Sequence, residues 1–108
     1  MRNQQRSRTL QHVRTTLAPA DVLAAAKEFF AQRSNIYSAF PEQVGATYLT
    51  LRGLGGEEIA IGVAAADGAT NVSASSYMFD QQVARFLSSL PPVAEAAAET
   101  RQDALVQT

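Results

Sequence analysis

The sequence predicts an α+β fold in which two helices pack on one face of an antiparallel sheet of three to five strands. Three observations indicate this class. Two segments carry apolar residues at helical spacing, several shorter segments alternate in polarity, and the dipeptide Asp67-Gly68 is typical of a tight hairpin turn. With 108 residues, the chain has the length of one domain.

The first half of the domain is expected to hold a strand, a helix and a second, short strand. β-Branched residues favour extended structure over residues 12–17, and Pro19 suits the first turn of a helix over residues 19–33. The short strand, over residues 36–40, is expected to end at a turn formed by Pro41-Glu42-Gln43. The apolar face of the helix consists of Val22, Leu23, Ala26, Phe29 and Phe30.

Three further strands are predicted over residues 46–52, 58–66 and 70–78. A two-residue turn at Asp67-Gly68 and a glycine loop after Arg52 fix how these strands pair. The expected cross-strand pairs are Ala66–Ala69, Val63–Val72, Ile61–Ala74, Arg52–Glu58, Leu51–Ile59, Leu49–Ile61 and Tyr48–Gly62. The side chains expected to face the core are Thr47, Leu49, Leu51, Ile59, Ile61, Val63, Ala65, Val72, Ala74, Ser76 and Met78.

A second helix is predicted over residues 81–90, with Asp80 as its N-cap and Pro91-Pro92 ending it. The domain then covers residues 12–92. Residues 1–11 are expected to form a basic flexible tail, and residues 93–108 an Ala/Glu-rich C-terminal tail that is helix-prone but has little to bury.

The charge is distributed unevenly along the chain. Nine basic residues stand against ten acidic ones, but residues 1–14 hold four of the arginines and no acid. From residue 15 onward, five basic residues face ten acidic ones, a net charge of −5. The basic segment is either a solvated tail or an arm that contacts phosphate or an acidic partner, and an organelle transit peptide is the least favoured interpretation. Four arginines without aromatic residues are a weak signal for nucleic-acid binding, and we do not expect it.

The composition excludes several classes of site. The absence of cysteine excludes a disulfide framework, a thiolate zinc site, an iron–sulfur cluster and a cysteine nucleophile. One histidine excludes a multi-histidine metal site within one chain. No run approaches the ~18 apolar residues of a membrane span, and no secretory signal is recognisable. We therefore expect a small soluble domain without transmembrane segment, metal or cofactor, located in the cytoplasm.

No set of residues has the spacing of a catalytic site. His12 has no carboxylate or nucleophile near it in sequence, and the serines at 73, 75 and 76 lack the glycine elbow of a hydrolase nucleophile. The loop Gly53-Leu54-Gly55-Gly56 lies between strands and opens no helix, so it is a hairpin loop rather than a phosphate cradle. The sequence therefore predicts a protein that is not an enzyme.

The element order β-α-β-β-β-β-α and the helix entry Pro19-Ala20-Asp21-Val22 resemble the helix-grip layout of the START and Bet v1-like families, which halves of the TATA-binding protein share. The resemblance covers residues 12–90 and implies a binder or carrier of a small apolar ligand between sheet and helices. The ligand-binding residues in that alternative are Phe29, Phe30, Phe40, Met78 and Phe86. The same side chains can instead simply fill the core of so small a domain.

The outer face of the predicted sheet has a composition that is common in interfaces, because it is low in charge and contains tyrosine. The expected interface residues are Tyr48, Thr50, Arg52, Glu58, Gly62, Ser73, Ser75 and Tyr77. An ordinary solvated face is the alternative. The favoured hypothesis is a non-enzymatic interaction module or accessory subunit that either self-associates or docks to another protein through this face.

Overall fold

The computed structural model of the chain describes residues 9–32 and 38–93. It confirms the predicted class: a five-stranded antiparallel sheet with two helices on one face. In chain order the elements are β1 (Thr9–Thr15), α1 (Pro19–Gln32), β2 (Ala39–Val44), β3 (Tyr48–Gly53), β4 (Glu58–Ala66), β5 (Ala69–Ser76) and α2 (Asp80–Ser89). The expectations for residues 1–8, 33–37 and 94–108 fall outside the described residues.

The strands are ordered β1-β5-β4-β3-β2, and every neighbouring pair is antiparallel. The turn between β4 and β5 has positive φ at both central residues, 54° at Asp67 and 76° at Gly68, as a two-residue hairpin turn requires. All seven predicted cross-strand pairs of β3, β4 and β5 are confirmed. Because β1 and β2 lie at opposite edges, α1 has to cross the sheet between them.

The core lies between the inner face of the sheet and the two helices. Three phenylalanine rings form its centre: the Phe30 and Phe86 centroids are 5.6 Å apart, and Phe29 lies 5.1 Å from Phe30 and 5.5 Å from Phe86. Phe30 and Phe86 are fully buried, and Phe29 is half-buried. Side chains from β3, β4 and β5 pack beneath them, namely Leu49, Leu51, Ile59, Ile61, Val63, Val72 and Ala74.

Two buried threonines join β1, β5 and the segment after α2. The Thr15 hydroxyl donates to the Pro91 carbonyl at 2.7 Å, and the Thr70 hydroxyl donates to the Leu17 carbonyl at 2.6 Å. Thr15 and Thr70 are also cross-strand partners. Since a buried hydroxyl needs a hydrogen-bond partner, these two bonds hold the chain just after β1 in a defined position.

The prediction for β2 was wrong at its end. Pro41-Glu42-Gln43 is not a turn but the middle of an edge strand, and the register shifts between Pro41 and Gln43. An edge strand tolerates proline because one side of the strand has no neighbour to bond, and a bulge accommodates the extra residue. Phe40 is 45% exposed, so it does not lie between sheet and helices as the carrier alternative required.

The prediction for Met78 was also wrong. β5 ends at Ser76, and Met78 is 66% exposed with a φ of 80°, because the chain turns there from the sheet into α2. Asp80 is the first residue of α2 rather than its cap, and its carboxylate accepts a hydrogen bond from the Ser76 hydroxyl at 2.8 Å. The N-cap is Phe79, whose ring is buried in the core.

Smaller corrections concern strand ends. β1 begins at Thr9 and ends at Thr15, so it includes three residues assigned to the tail and stops before Leu17. Thr47 precedes β3 and is exposed, and Ala65 near the hairpin turn is exposed as well. α1 and α2 match their predicted helices to within one residue at either end.

Replacing a buried leucine should cost far more stability than replacing an exposed one. Leu49 is fully buried, whereas Leu54 in the glycine loop is 79% exposed. We expect Leu49→Ala to lower the free energy of unfolding by about 2–5 kcal/mol, and Leu54→Ala by about 0.5 kcal/mol or less. Urea unfolding followed by circular dichroism measures both. Equal losses would contradict the described core.

Candidate functional site

The outer face is the side of the sheet turned away from the helices, and cross-strand pairing arranges its side chains in rows. The rows are Phe40–Arg52–Glu58–Tyr77, Thr50–Ala60–Ser75–Leu10, Tyr48–Gly62–Ser73–His12 and Ala64–Asn71–Arg14. We call the first row the Arg52 end and the last row the Arg14 end. Ala64 lies six residue steps along β4 from Glu58, so the two ends lie about 20 Å apart.

All eight predicted interface residues lie on the outer face. Tyr48 is 47% exposed and Tyr77 is 41% exposed. Tyr77 follows β5, but its backbone N–H donates to the Glu58 carbonyl at 3.1 Å, so it continues the row that contains Arg52. The structure therefore brings together the residues that the sequence assigned to one surface.

Two large apolar side chains were missed as members of this surface. Leu10 is 61% exposed in β1, and Phe40 is 45% exposed beside Arg52. The alternation of Gln11, Val13 and Thr15 with the residues between them would have shown that Leu10 is on the outer face. Phe40 was missed because the predicted strand ended at that residue, so its pairing with Arg52 of β3 was not expected.

The ring of Tyr48 does not cover Gly62, although the two residues are cross-strand partners. It lies instead against Gly45, where an added Cβ would collide with the ring. A Cβ on Gly62 would meet only the Ser73 hydroxyl, at 3.4 Å. No other described residue therefore covers the centre of the outer face above Gly62.

At the Arg52 end, one arginine is shared by two carboxylates. Its Nη2 and Nε bond the two oxygens of Glu42 at 2.8 and 3.2 Å, and its Nη2 lies 3.8 Å from Glu58. The hydrogen bond from Arg52 lowers the pKa of the Glu42 carboxyl, and the same bond raises the pKa of Arg52. The Nη1 of Arg52 also donates to the Gly56 carbonyl at 3.1 Å. The positive charge is thus compensated locally.

At the Arg14 end, the outer face forms an open depression of about 620 Å³. Arg14 reaches over β5, because its Nη2 donates to the Ala66 carbonyl in β4 at 2.9 Å. We call this hollow the Arg14 depression. It is lined by His12, Val13, Arg14, Thr47, Gly62, Val63, Ala64, Asn71, Val72 and Ser73.

The site residues form no catalytic constellation within the part of the chain that the structure describes. His12 and Ser73 are cross-strand neighbours, but no hydrogen bond joins their side chains. No described carboxylate contacts His12, so the third member of a nucleophile–base–acid arrangement is missing there. The same residues contain no group of three His, Asp or Glu side chains positioned to hold a metal ion.

No family model, curated protein or solved structure matches this chain. Among the residues described, neither helix is long and apolar enough to cross a membrane. The fold and the outer face thus define an α+β domain with one helix-covered and one open sheet face.

Removing Arg52 should raise the pKa of the Glu42 carboxyl. Because the Arg52 hydrogen bond stabilises the ionised carboxylate, Glu42 contributes stability that is present at neutral pH and lost as the pH falls through its lowered pKa. In Arg52→Gln we expect the Glu42 titration to move to higher pH. Carbon-13 NMR of the side-chain carboxyl measures this, and an unchanged titration would contradict the ion pair.

Proposed function

We propose that this chain is a non-enzymatic protein-interaction module, an accessory subunit that self-associates through its outer sheet face. One observation carries the proposal. Four large apolar or aromatic side chains, Leu10, Phe40, Tyr48 and Tyr77, are 41–61% exposed on that one face. Single exposed apolar residues are ordinary, but a group of them on one surface is typical of a docking site.

The remainder of the outer face supports contact with protein rather than with water alone. Between its two ends the side chains are small or uncharged, namely Thr50, Ala60, Gly62, Ser73 and Ser75. Interface centres are depleted in charge and enriched in aromatic residues, whereas solvated faces are not. Docking therefore leaves few charged groups to be stripped of water.

The size of the face favours a second copy that covers all of it. Five strands spaced by about 4.8 Å give a width of about 24 Å, and the length is about 20 Å. The flat area is then about 500 Å² on each copy, and side-chain relief raises it. Specific interfaces bury about 800 Å² per partner, with weak ones below that. A stable pair therefore needs the whole outer face.

The charges of the face are also self-complementary. At the Arg52 end, Glu42 and Glu58 outnumber one arginine, while Arg14 is the cation at the opposite corner. In a two-fold pair each surface meets its own copy. An axis lying in the face between these corners places the basic corner of each copy over the acidic corner of the other.

The alternative function, binding or carrying a small apolar ligand, has less support from the structure. Phe30 and Phe86 are fully buried and pack against each other and against Phe29, as core residues do. Phe40 and Met78 are exposed and do not join that cluster. The five residues therefore do not line one common space.

Introducing two glutamates into the outer face should dissociate the dimer without unfolding the domain. A dimer of the double variant Tyr48→Glu/Tyr77→Glu would have to bury four new carboxylates, two from each copy, which is unfavourable. We expect the wild-type chain to run as a dimer, near twice 11.6 kDa, and the variant as a monomer. Light scattering coupled to size exclusion measures the masses, and circular dichroism confirms that the variant is folded.

Leu54→Glu/Ala84→Glu is the matched control, since it adds the same charge at exposed positions in the glycine loop and on α2. This control should remain dimeric. A monomeric wild-type chain would refute self-association and leave another protein as the occupant of the face. A folded variant that keeps the wild-type mass would refute the outer face as the contact.

A further inference from the structure

We propose that the Arg14 depression binds a small organic anion, a flat apolar body bearing a carboxylate or a phosphate group. This site belongs to the single chain and does not rest on self-association: the proposed pair covers the same face, so the anion and the second copy compete for Arg14. Three features carry it: a cation without a carboxylate partner among the described residues, polar side chains that likewise have no described partner around it, and a floor of small residues.

Arg14 is a cation whose charge no described carboxylate compensates. Its Nη2 is held by the Ala66 carbonyl, which fixes the guanidinium above the sheet. Its Nε is buried and has no hydrogen-bond partner among the described residues. This differs from Arg52, which has two carboxylates within 4 Å. Since Nε is buried, the donors left for a ligand are Nη1 and the second N–H of Nη2. Guanidinium groups bind carboxylate and phosphate oxygens through paired N–H donors, so an oxyanion is the ligand chemistry that Arg14 fits.

Other polar side chains line the same depression. His12, Thr47, Asn71 and Ser73 all belong to its wall, and none of their side chains is hydrogen-bonded to another described residue. Imidazole, hydroxyl and amide groups all donate hydrogen bonds. Since these donors have no partner in the described part of the chain and line the same hollow as a cation, they complete a site for an oxyanion.

The floor of the depression explains why the ligand should have an apolar body. Gly62 has no side chain and Ala64 only a methyl group above the sheet. The Tyr48 ring packs on Gly45 instead of over Gly62. The resulting space of about 620 Å³ is within the range of small-molecule sites, and it is far larger than a bare ion fills. A ring lying flat on Gly62 would place its anionic substituent toward Arg14.

The experiment is a titration of the full chain as a monomer, followed by proton–nitrogen NMR at constant ionic strength; where light scattering shows a dimer, Tyr77→Glu, which lies at the Arg52 end, is titrated instead. The probes are phenyl phosphate and benzoate, with inorganic phosphate and benzyl alcohol as the comparisons. We expect saturable shifts for the two ring anions at the backbone amides of residues 12–14, 62–64 and 71–73. Inorganic phosphate and benzyl alcohol should each bind at least about tenfold more weakly, because each lacks one half of the ligand.

Three variants assign the site. Arg14→Gln should weaken binding of phenyl phosphate at least about tenfold, whereas Arg85→Gln, an exposed arginine on α2, should not change it. Gly62→Val keeps Arg14 and fills the floor, and its Cβ fits because it would lie 3.4 Å from the Ser73 hydroxyl. This variant should lose the ring anions while remaining folded.

Absence of saturable shifts would overturn the proposal, and so would equal weakening by Arg85→Gln. If inorganic phosphate binds as tightly as phenyl phosphate, the proposal that the ligand has an apolar body is wrong. If benzyl alcohol binds as tightly as phenyl phosphate, the proposal that the ligand is an anion is wrong. The mass of the chain by light scattering tests self-association separately. A failed titration therefore leaves that proposed function standing, and a monomeric chain leaves this site standing.

Discussion

The register between β4 and β5 is the constraint on which the rest of the structure depends. The two-residue turn at Asp67-Gly68 pairs Val63 with Val72 and Ile61 with Ala74, which places both pairs in the core. Because side chains alternate with a period of two, a slip of one residue would exchange the core and the outer face along a whole strand. β3 and β1 pair on either side of this hairpin, so its register decides which side chains these two strands present to the helices.

The fold could be predicted where local chemistry and periodicity agree. β4 alternates cleanly, a tight turn follows it, and both helices have one apolar face, so these elements and their pairs are as expected. Prediction failed where tertiary context overrides local preference. Proline usually ends a strand. At the edge of a sheet, however, its missing N–H costs nothing, and β2 continues through Pro41. Met78 continues the alternation of β5, but the chain must turn there to enter α2.

The residues of the candidate site also fall into those that the sequence predicts and those that it does not. The eight outer-face residues follow from the register of β3, β4 and β5, which the sequence specifies. Leu10 and Arg14 join the face only because β1 pairs with β5, a contact between residues more than fifty positions apart. Neither the route of Arg14 over β5 nor the packing of Tyr48 on Gly45 has a sequence signal, because both depend on side-chain placement in the folded sheet.

The edges of the sheet explain why we propose the open face, rather than an edge strand, as the surface for a partner. An exposed edge offers unpaired backbone groups, and proteins block it with proline, bulges and charge. β2 carries all three: Pro41, the register shift after it, and the Glu42–Arg52 ion pair. At the other edge, Thr15 of β1 forms a bridge with Pro92, so the chain after α2 covers the end of that strand. Pairing a further strand is thus hindered at one edge and shortened at the other. Within residues 9–32 and 38–93 nothing obstructs the outer face in this way, and its apolar side chains gain most from being covered.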